Sequence, residues 1–454
     1  MKKFFYFISV LIFCSNVSFA QQEQMQREAQ SQAMGMIMGG LGMTWIDGKP
    51  YYTFRFMPEV SFLNFGVGLD LNLNIDTKGK VRTENFNETS DYLSLIRYFR
   101  YGQKKDNIYV RVGALDYSYL GHGSIIYMYN NSPSFDARKI GLELDLDFEQ
   151  VGFESVYGSF GEAGVVGLRG YVRPLKFTTL GELPIIGGFE FGATYASDLN
   201  KYSGAIQGTY DSQKDDFNLT VDKGPLSIVG FDLGLPILRI PTLDADLYYD
   251  YVKILDFGSG QSAGIMLSFN FLSLVKANAK LERRFNNDRY LPSYFNAFYE
   301  IERFRAIYLN DTSAYFVSKV AKLDTLKNNN NGIYGELTVD VIGLFKILGS
   351  YQKLDKQPKS GIMHFSTDIS PKDASFVARA GYDKRDIKNL NDLFTLNERS
   401  YLFTEIGYKP YPFLLVSTVV HYTFSPYKRD SKDRVIAYKT QKRIEPRVSF
   451  MFPL

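Results

Sequence analysis

Cysteine is nearly missing from this chain: Cys14 is the only one in 454 residues. Without a second thiol there is no disulfide framework and no Cys-ligated zinc site. Histidine is almost as scarce, at three residues, and tryptophan occurs once, at Trp45. Charge of either sign is not in excess: the formal net charge of +3 gives no reason to expect a nucleic-acid partner. Past the first 20 residues no apolar run approaches the ~18 residues of a membrane helix, which excludes a helical membrane protein. The catalytic signatures are missing too. There is no P-loop, dinucleotide glycine motif, His-Glu-x-x-His helix or nucleophile elbow, and no Asp-x-Asp-x-Asp-Gly calcium loop. No cofactor and no metal is therefore expected.

What the chain does have begins with an export signal. Lys2 and Lys3 precede an apolar stretch from Phe4 to Phe13, and Ser18-Phe19-Ala20 offers small residues where a signal peptidase reads. Residues 1–20 are expected to be a signal peptide. Leu11 stands three residues before Cys14, as in a lipoprotein signal, but Phe13 is too bulky for the position beside the cysteine. Residues 21–49, rich in Gln and then in Met and Gly, read as a partly helical or disordered periplasmic tail. Residues 50–454 read as one β-structure.

The clearest pattern is residues 63–75. Leu63, Phe65, Val67, Leu69, Leu71, Leu73 and Ile75 share one face of an extended chain, and Asn64, Gly66, Gly68, Asp70, Asn72 and Asn74 share the other. Such a stretch would span roughly 43 Å at ~3.3 Å per residue, long for a soluble sheet and ample for a tilted membrane strand. Tyr52, Phe54, Phe56, Pro58 and Val60 alternate in the same way just before it, so a hairpin is expected near Ser61. Later runs repeat the pattern at 108–114, 140–149, 165–173, 187–197, 225–235, 242–252, 262–272 and 274–284. Ser90 or Asp91 is placed to cap a short helix through Phe99, within a 77–106 connection that has the length to enter a barrel mouth. Residues 290–326 carry no pattern.

Toward the C-terminus, short connections near Ile342-Gly343, Ser370-Pro371-Lys372 and Lys409–Pro412 alternate with polar ones at 327–332, 355–359, 383–399 and 425–434. Short turns on one side and long loops on the other are the rule for bacterial barrels, as are girdles drawn from an aromatic content of 16%. The expected fold is all-β, an antiparallel transmembrane barrel of roughly 14–18 strands at ~22–30 residues per strand and connection.

The signal, the long dyad-repeat strands and the terminal strand that alternates Ile444, Pro446, Val448 and the aromatic Phe450 and Phe452 together resemble Gram-negative outer-membrane β-barrels of porin-like type. The resemblance covers residues 50–454 and is architectural. It implies an outer-membrane location, with lipid as one partner and small polar or ionic solutes as the other. The chain departs from such barrels in closing on Phe452-Pro453-Leu454 rather than on an aromatic residue.

Charged rows on the polar strand faces are the candidate pore lining. The acidic ones are Glu143, Asp145, Asp147 and Glu149, then Asp244, Asp246 and Asp250; the basic ones are Arg169 and Arg173, then Lys276 and Lys280. Facing water across a lumen, they would set a transverse field that selects solutes; the blander reading is that each charge pairs with a neighbouring strand. His122 with Ser124, and His364 with Ser366 and Asp368, invite a hydrolase reading, but residues two apart on a strand start ~7 Å from each other. His421 reads as an ordinary strand residue. The function expected is a porin-like channel, not an enzyme. A non-conducting structural or assembly barrel is the alternative and an outer-membrane hydrolase the third reading. A homo-oligomer, or a periplasmic partner reached through residues 21–49, stays open.

Overall fold

Period-two alternation over most of the chain dictates strands, and the computed structural model is mostly strand. It describes residues 36–46, 49–82, 95–104, 106–132, 139–161, 163–214, 216–272, 274–310, 313–326, 331–371, 374–397, 399–429 and 435–453. The signal and the first part of the Gln-rich tail lie outside the described residues, as do Ser90 to Leu93.

The first seven barrel strands are β1 Met36–Ile46, β2 Lys49–Phe62, β3 Phe65–Leu69 continuing after Asp70 as Leu71–Asp76, β4 Ile96–Tyr101, β5 Ile108–Gly113, β6 Gly141–Asp147 and β7 Val151–Tyr157. Then come β8 Val165–Val172, β9 Glu190–Asp198, β10 Leu226–Ile240, β11 Leu243–Ile254, β12 Ser259–Phe271 and β13 Val275–Asn286. The last seven are β14 Gly332–Val341, β15 Phe345–Leu354, β16 Gly361–Ile369, β17 Phe376–Ile387, β18 Ser400–Tyr411, β19 Leu414–Arg429 and β20 Val435–Pro453. Each pairs antiparallel with the next, and β20 pairs with β1 from Met36↔Pro453 to Gly42↔Arg447, so the sheet closes.

Three sequence expectations are corrected. The barrel starts at Met36, inside the stretch read as a tail. Its glycines mimic a loop, but Gly39 leaves the space into which the Phe450 ring of β20 packs. The strand number is twenty rather than 14–18, because β4 to β7 are only six or seven residues long and, elsewhere, hairpins close through two or three residues, as at Leu63-Asn64, Leu272–Leu274 and Ile342–Leu344, so the repeat is shorter than the assumed spacing. The helix through Phe99 is instead β4, with Arg97 and Tyr98 buried on the lumen side and Ile96 and Phe99 exposed.

The extra strand also settles the topology. The turn Leu63-Asn64 now falls at the short-turn end with Phe148–Gln150, Leu272–Leu274 and Ile342–Leu344, and the connection between β3 and β4 leaves and returns at the long-loop end. Met36 and Pro453 lie at the short-turn end. A 17-residue connection, 173–189, is the exception there and is folded into three 3-10 turns.

At the long-loop end two connections fold inward and fill one side of the barrel. Residues 114–132 contribute Leu115, Leu120, Ile125, Ile126 and Tyr129 to one buried apolar core, and residues 287–326 contribute Tyr290, Tyr294, Phe295, Tyr299, Val320 and Leu323. Their backbones join at Ser293 N–H to Ser124 O (2.9 Å), Tyr127 N–H to Phe295 O (3.1 Å) and Phe295 N–H to Ile125 O (3.1 Å). The wall supplies Val156, Val165, Ala196, Ile228, Val252 and Ile254 to the same core. This explains why 290–326 has no strand pattern: its apolar residues pack as a loop core, not along a sheet. The hairpin Phe304–Asn310/Ser313–Ser318 rises from this segment, with Phe304 and Phe316 beside Phe217 of the hairpin Ala205–Asp211/Asp216–Asp222.

Candidate functional site in the barrel lumen

The strand phases place the charged rows on the inner surface, and register then decides their partners. On β6, Glu143 takes Lys104 at 3.2 Å and the Tyr109 hydroxyl at 3.0 Å, and Asp145 takes Lys104 at 3.1 Å. Asp147 holds Arg173 through both its oxygens at 2.9 Å, while Glu149 turns out of the strand at φ 67° and meets Lys176 at 3.0 Å. Arg169 on β8 is buried among Asp232 (2.5 Å), Glu190 (2.6 Å) and Glu154 (3.4 Å), and Arg173 also reaches Glu190. Asp246 and, at 3.9 Å, Asp244 face Arg239 across the β10–β11 ladder. Lys280 lies 2.8 Å from Glu282, and Lys276 is exposed near the short-turn end. Burial makes an unpaired charge costly, so neighbouring strands neutralise each other. The pairing reading of these rows matches the geometry.

Outside the wall the pattern reverses. Leu168, Phe231, Leu233, Leu247, Tyr249, Leu281, Leu337, Ile406 and Val448 are all exposed large apolar residues on strands whose inward neighbours are charged. A soluble protein would bury these and expose the ions; a closed sheet with the opposite arrangement is matched to lipid. The protein is an outer-membrane β-barrel.

Asp250 clasps the inward loop of this barrel. One of its oxygens meets His122 Nδ1 at 2.8 Å, and the other accepts the Ser124 hydroxyl. Ser124 also lies 2.9 Å from Ser262, and the His122 ring stacks on Tyr248 at 4.4 Å between centroids. Lys280 donates to the His122 carbonyl at 2.6 Å, and Gly121 N–H donates to Glu154 at 2.8 Å. A triad needs serine on histidine and histidine on the acid; here both sit on the acid. The His364, Ser366 and Asp368 row is likewise divided. His364 Nδ1 contacts Asp383 of β17, and Asp368 takes Arg379 at 2.7 Å. His421 lies 3.4 Å from Glu445. Among the described residues no group of three or more metal-ligating side chains converges.

The open space lies on the other side of the lumen. A cavity of about 590 Å3 separates the loop residues Tyr117, Tyr127, Met128, Asn296, Phe298 and Glu302 from the inner faces of β13 to β18. Register carries one polar row across that wall: Lys280 opposes Glu336, Glu336 opposes Ser350, Ser350 opposes His364, and His364 opposes Asp383. Glu336 accepts the hydroxyls of Tyr127 (2.8 Å) and Tyr334 (2.5 Å), and Arg284 donates to Glu282 (2.6 Å) and Gln352 (3.1 Å). None of the eleven charged residues picked out from the sequence borders this cavity. Among them, Arg169 and Asp250 lie against the inward loop instead, at Gly121 and His122. One signal for the side that the loops fill was present in the sequence: the inner face of β11 runs Asp244, Asp246, Tyr248, Asp250 and then turns apolar at Val252 and Ile254, where the loop core sits.

No protein-family model and no curated protein matches the chain. Among solved structures the chain is similar to a BenF-like porin from Pseudomonas fluorescens, at 10% identity and a TM-score of 0.34, over 93% of this chain and 98% of that one. It is also similar to Wzi of Escherichia coli, an outer-membrane protein of capsule assembly described as a carbohydrate-binding barrel (11%, 0.37, 96% and 88%). The ferric enterobactin receptor of Pseudomonas aeruginosa is a third (9%, 0.39, 93% and 81%). At these scores the likenesses add nothing to what the strands of this barrel establish.

Proposed function

We propose that this barrel is a narrow channel for small polar or ionic solutes, with its path along the inner wall of β14 to β18. The observation that carries the proposal is the course of the cavity. It is bordered by Arg399 and Ser400 at the long-loop rim and by Lys346, the second residue of β15 from the short-turn end. On β15 alone the border runs from Lys346 to Gln352, roughly 20 Å at ~3.3 Å per residue. Its lining carries five cations (Arg284, Lys346, Lys384, Arg385, Arg399) and three carboxylates (Glu302, Glu336, Asp383); Arg284, Lys346, Lys384 and Arg399 pair with Glu282, Asp340 and Asp392 behind the lining, and it is the exposed Arg385 that favours anionic over cationic solutes.

Planar-bilayer recording tests this. Discrete single-channel steps are expected, with a reversal potential in a salt gradient on the anion side. Arg385→Glu should move it toward cations, less so in molar salt where screening shortens the reach of surface charge to ~3 Å. Electrical silence from well-folded protein would refute the channel. It would favour a structural barrel, the reading supported by the apolar core that joins the two inward loops.

A further inference from the structure

The short-turn rim is apolar where turns are ordinarily polar. Leu63, Phe148, Leu180, Leu272, Leu344 and Tyr411 stand at six of its connections and are 84, 56, 47, 74, 52 and 58% exposed. Lipid-facing Phe231 and Leu247 on the wall are 52 and 42% exposed, so the tips are about as open as the belt itself. Two of them occupy backbone that leucine rarely adopts: φ is 53° at Leu63 and 48° at Leu272. Asparagine or glycine is the usual choice there, and leucine gains nothing locally from the position. Water contact at the tips would make these residues doubly unfavourable.

We infer that the short turns are seated in the lipid of the inner leaflet, at the boundary of headgroup and acyl chain. Two observations select lipid over a periplasmic protein. The six tips belong to the β2–β3, β6–β7, β8–β9, β12–β13, β14–β15 and β18–β19 connections, which are spread around the circumference. A protein docked at the rim would cover one sector, whereas the lipid annulus touches all of them. The tips are also continuous with the lipid-facing band, since Leu63 leads to exposed Phe65 and Leu272 follows exposed Phe271. The folded connection 173–189 extends this surface through Phe177, at 65% exposure. It forms an interfacial platform between the outward-facing ends of β8 and β9.

The chain has one tryptophan, so a reporter can be placed cleanly. Leu272→Trp in a Trp45→Phe background is reconstituted in phosphatidylcholine vesicles, with or without bromine near the headgroup end of the acyl chain. Strong quenching by the brominated lipid, with little quenching by aqueous acrylamide, is expected. Strong acrylamide quenching with no response to bromine would overturn the inference and leave the rim as a face for a periplasmic protein. Leu63→Trp and Phe148→Trp, in turns elsewhere on the rim, repeat the measurement and stand in for the first variant if it does not fold. Agreement among turns is required, since a response confined to one sector would contradict an annular seat.

Discussion

At the scale of the residue, Asp250 is a polar anchor of the loop that fills one side of the lumen. Its carboxylate is 4% exposed and holds the inward loop by two side chains, His122 and Ser124. Asp250→Ala removes the carboxylate partner of His122 and leaves Ser124 with Ser262 alone, a loss of roughly 2–4 kcal/mol for two buried hydrogen bonds. The variant is expected to melt earlier and to pass a larger or noisier current, because residues 120–126 lose their anchor; unchanged current would show that the apolar core alone holds the loop. Sequence phase was legible along β6 as far as Asp147, beyond which Glu149 leaves the strand. Glu143 and Asp145 are buried on the inner face of β6, with Leu142, Leu144 and Leu146 alternating on the other. Leu144→Arg is therefore expected to impair insertion by roughly 2–4 kcal/mol at mid-membrane, read as loss of the heat-modifiable form. Pairing was not legible, because it depends on register. Nothing in the spacing of Arg169 reveals that Asp232, 63 positions on, lies against it.

At the scale of the element, the strands were readable and the inserted loops were not. Strands announce themselves by alternation, whereas residues 114–132 and 287–326 hold their shape through contacts with each other and with the wall. The loop between β17 and β18 shows how such segments are fixed locally. Asp392 receives Arg399 through two bonds, at 2.8 and 2.6 Å, and the Lys388 N–H at 2.9 Å. The Arg399 hydrogen bonds hold its carboxyl well below the ordinary value of 3.8. A depressed folded-state pKa stabilises above the unfolded value and is lost as protons bind to the folded form. Residues 388–397 are therefore expected to resist a protease active across the acid range while the pH stays above the ordinary carboxylate range, and to become cleavable only as the pH falls below it. Cleavage that does not depend on pH would remove the pair from this role, and Asp392→Asn should abolish the pH step.

At the scale of the whole molecule, closure and lumen filling together define the path. The missed strand β1 shows the limit of composition: glycine and methionine over residues 36–43 look like a tail until Phe450 and Phe56 are seen to flank Gly39. With β1 in place the barrel has an even strand number and both ends of the described barrel at the short-turn end, as an outer-membrane barrel requires. None of the charges that drew attention in the sequence borders the open side, which is lined by residues with little periodic signal, among them Ser350, Gln352 and Arg399. The chain's single cysteine lies at position 14, ahead of the barrel, which permits the most direct test of that division. Ser350→Cys on the cavity wall and Ser262→Cys beneath the clasped loop are compared in single-channel recordings before and after a negatively charged methanethiosulfonate reagent. The account predicts a stepwise fall in current for Ser350→Cys and none for Ser262→Cys. Equal block at both positions, or block only at Ser262→Cys, would contradict a path along β14 to β18.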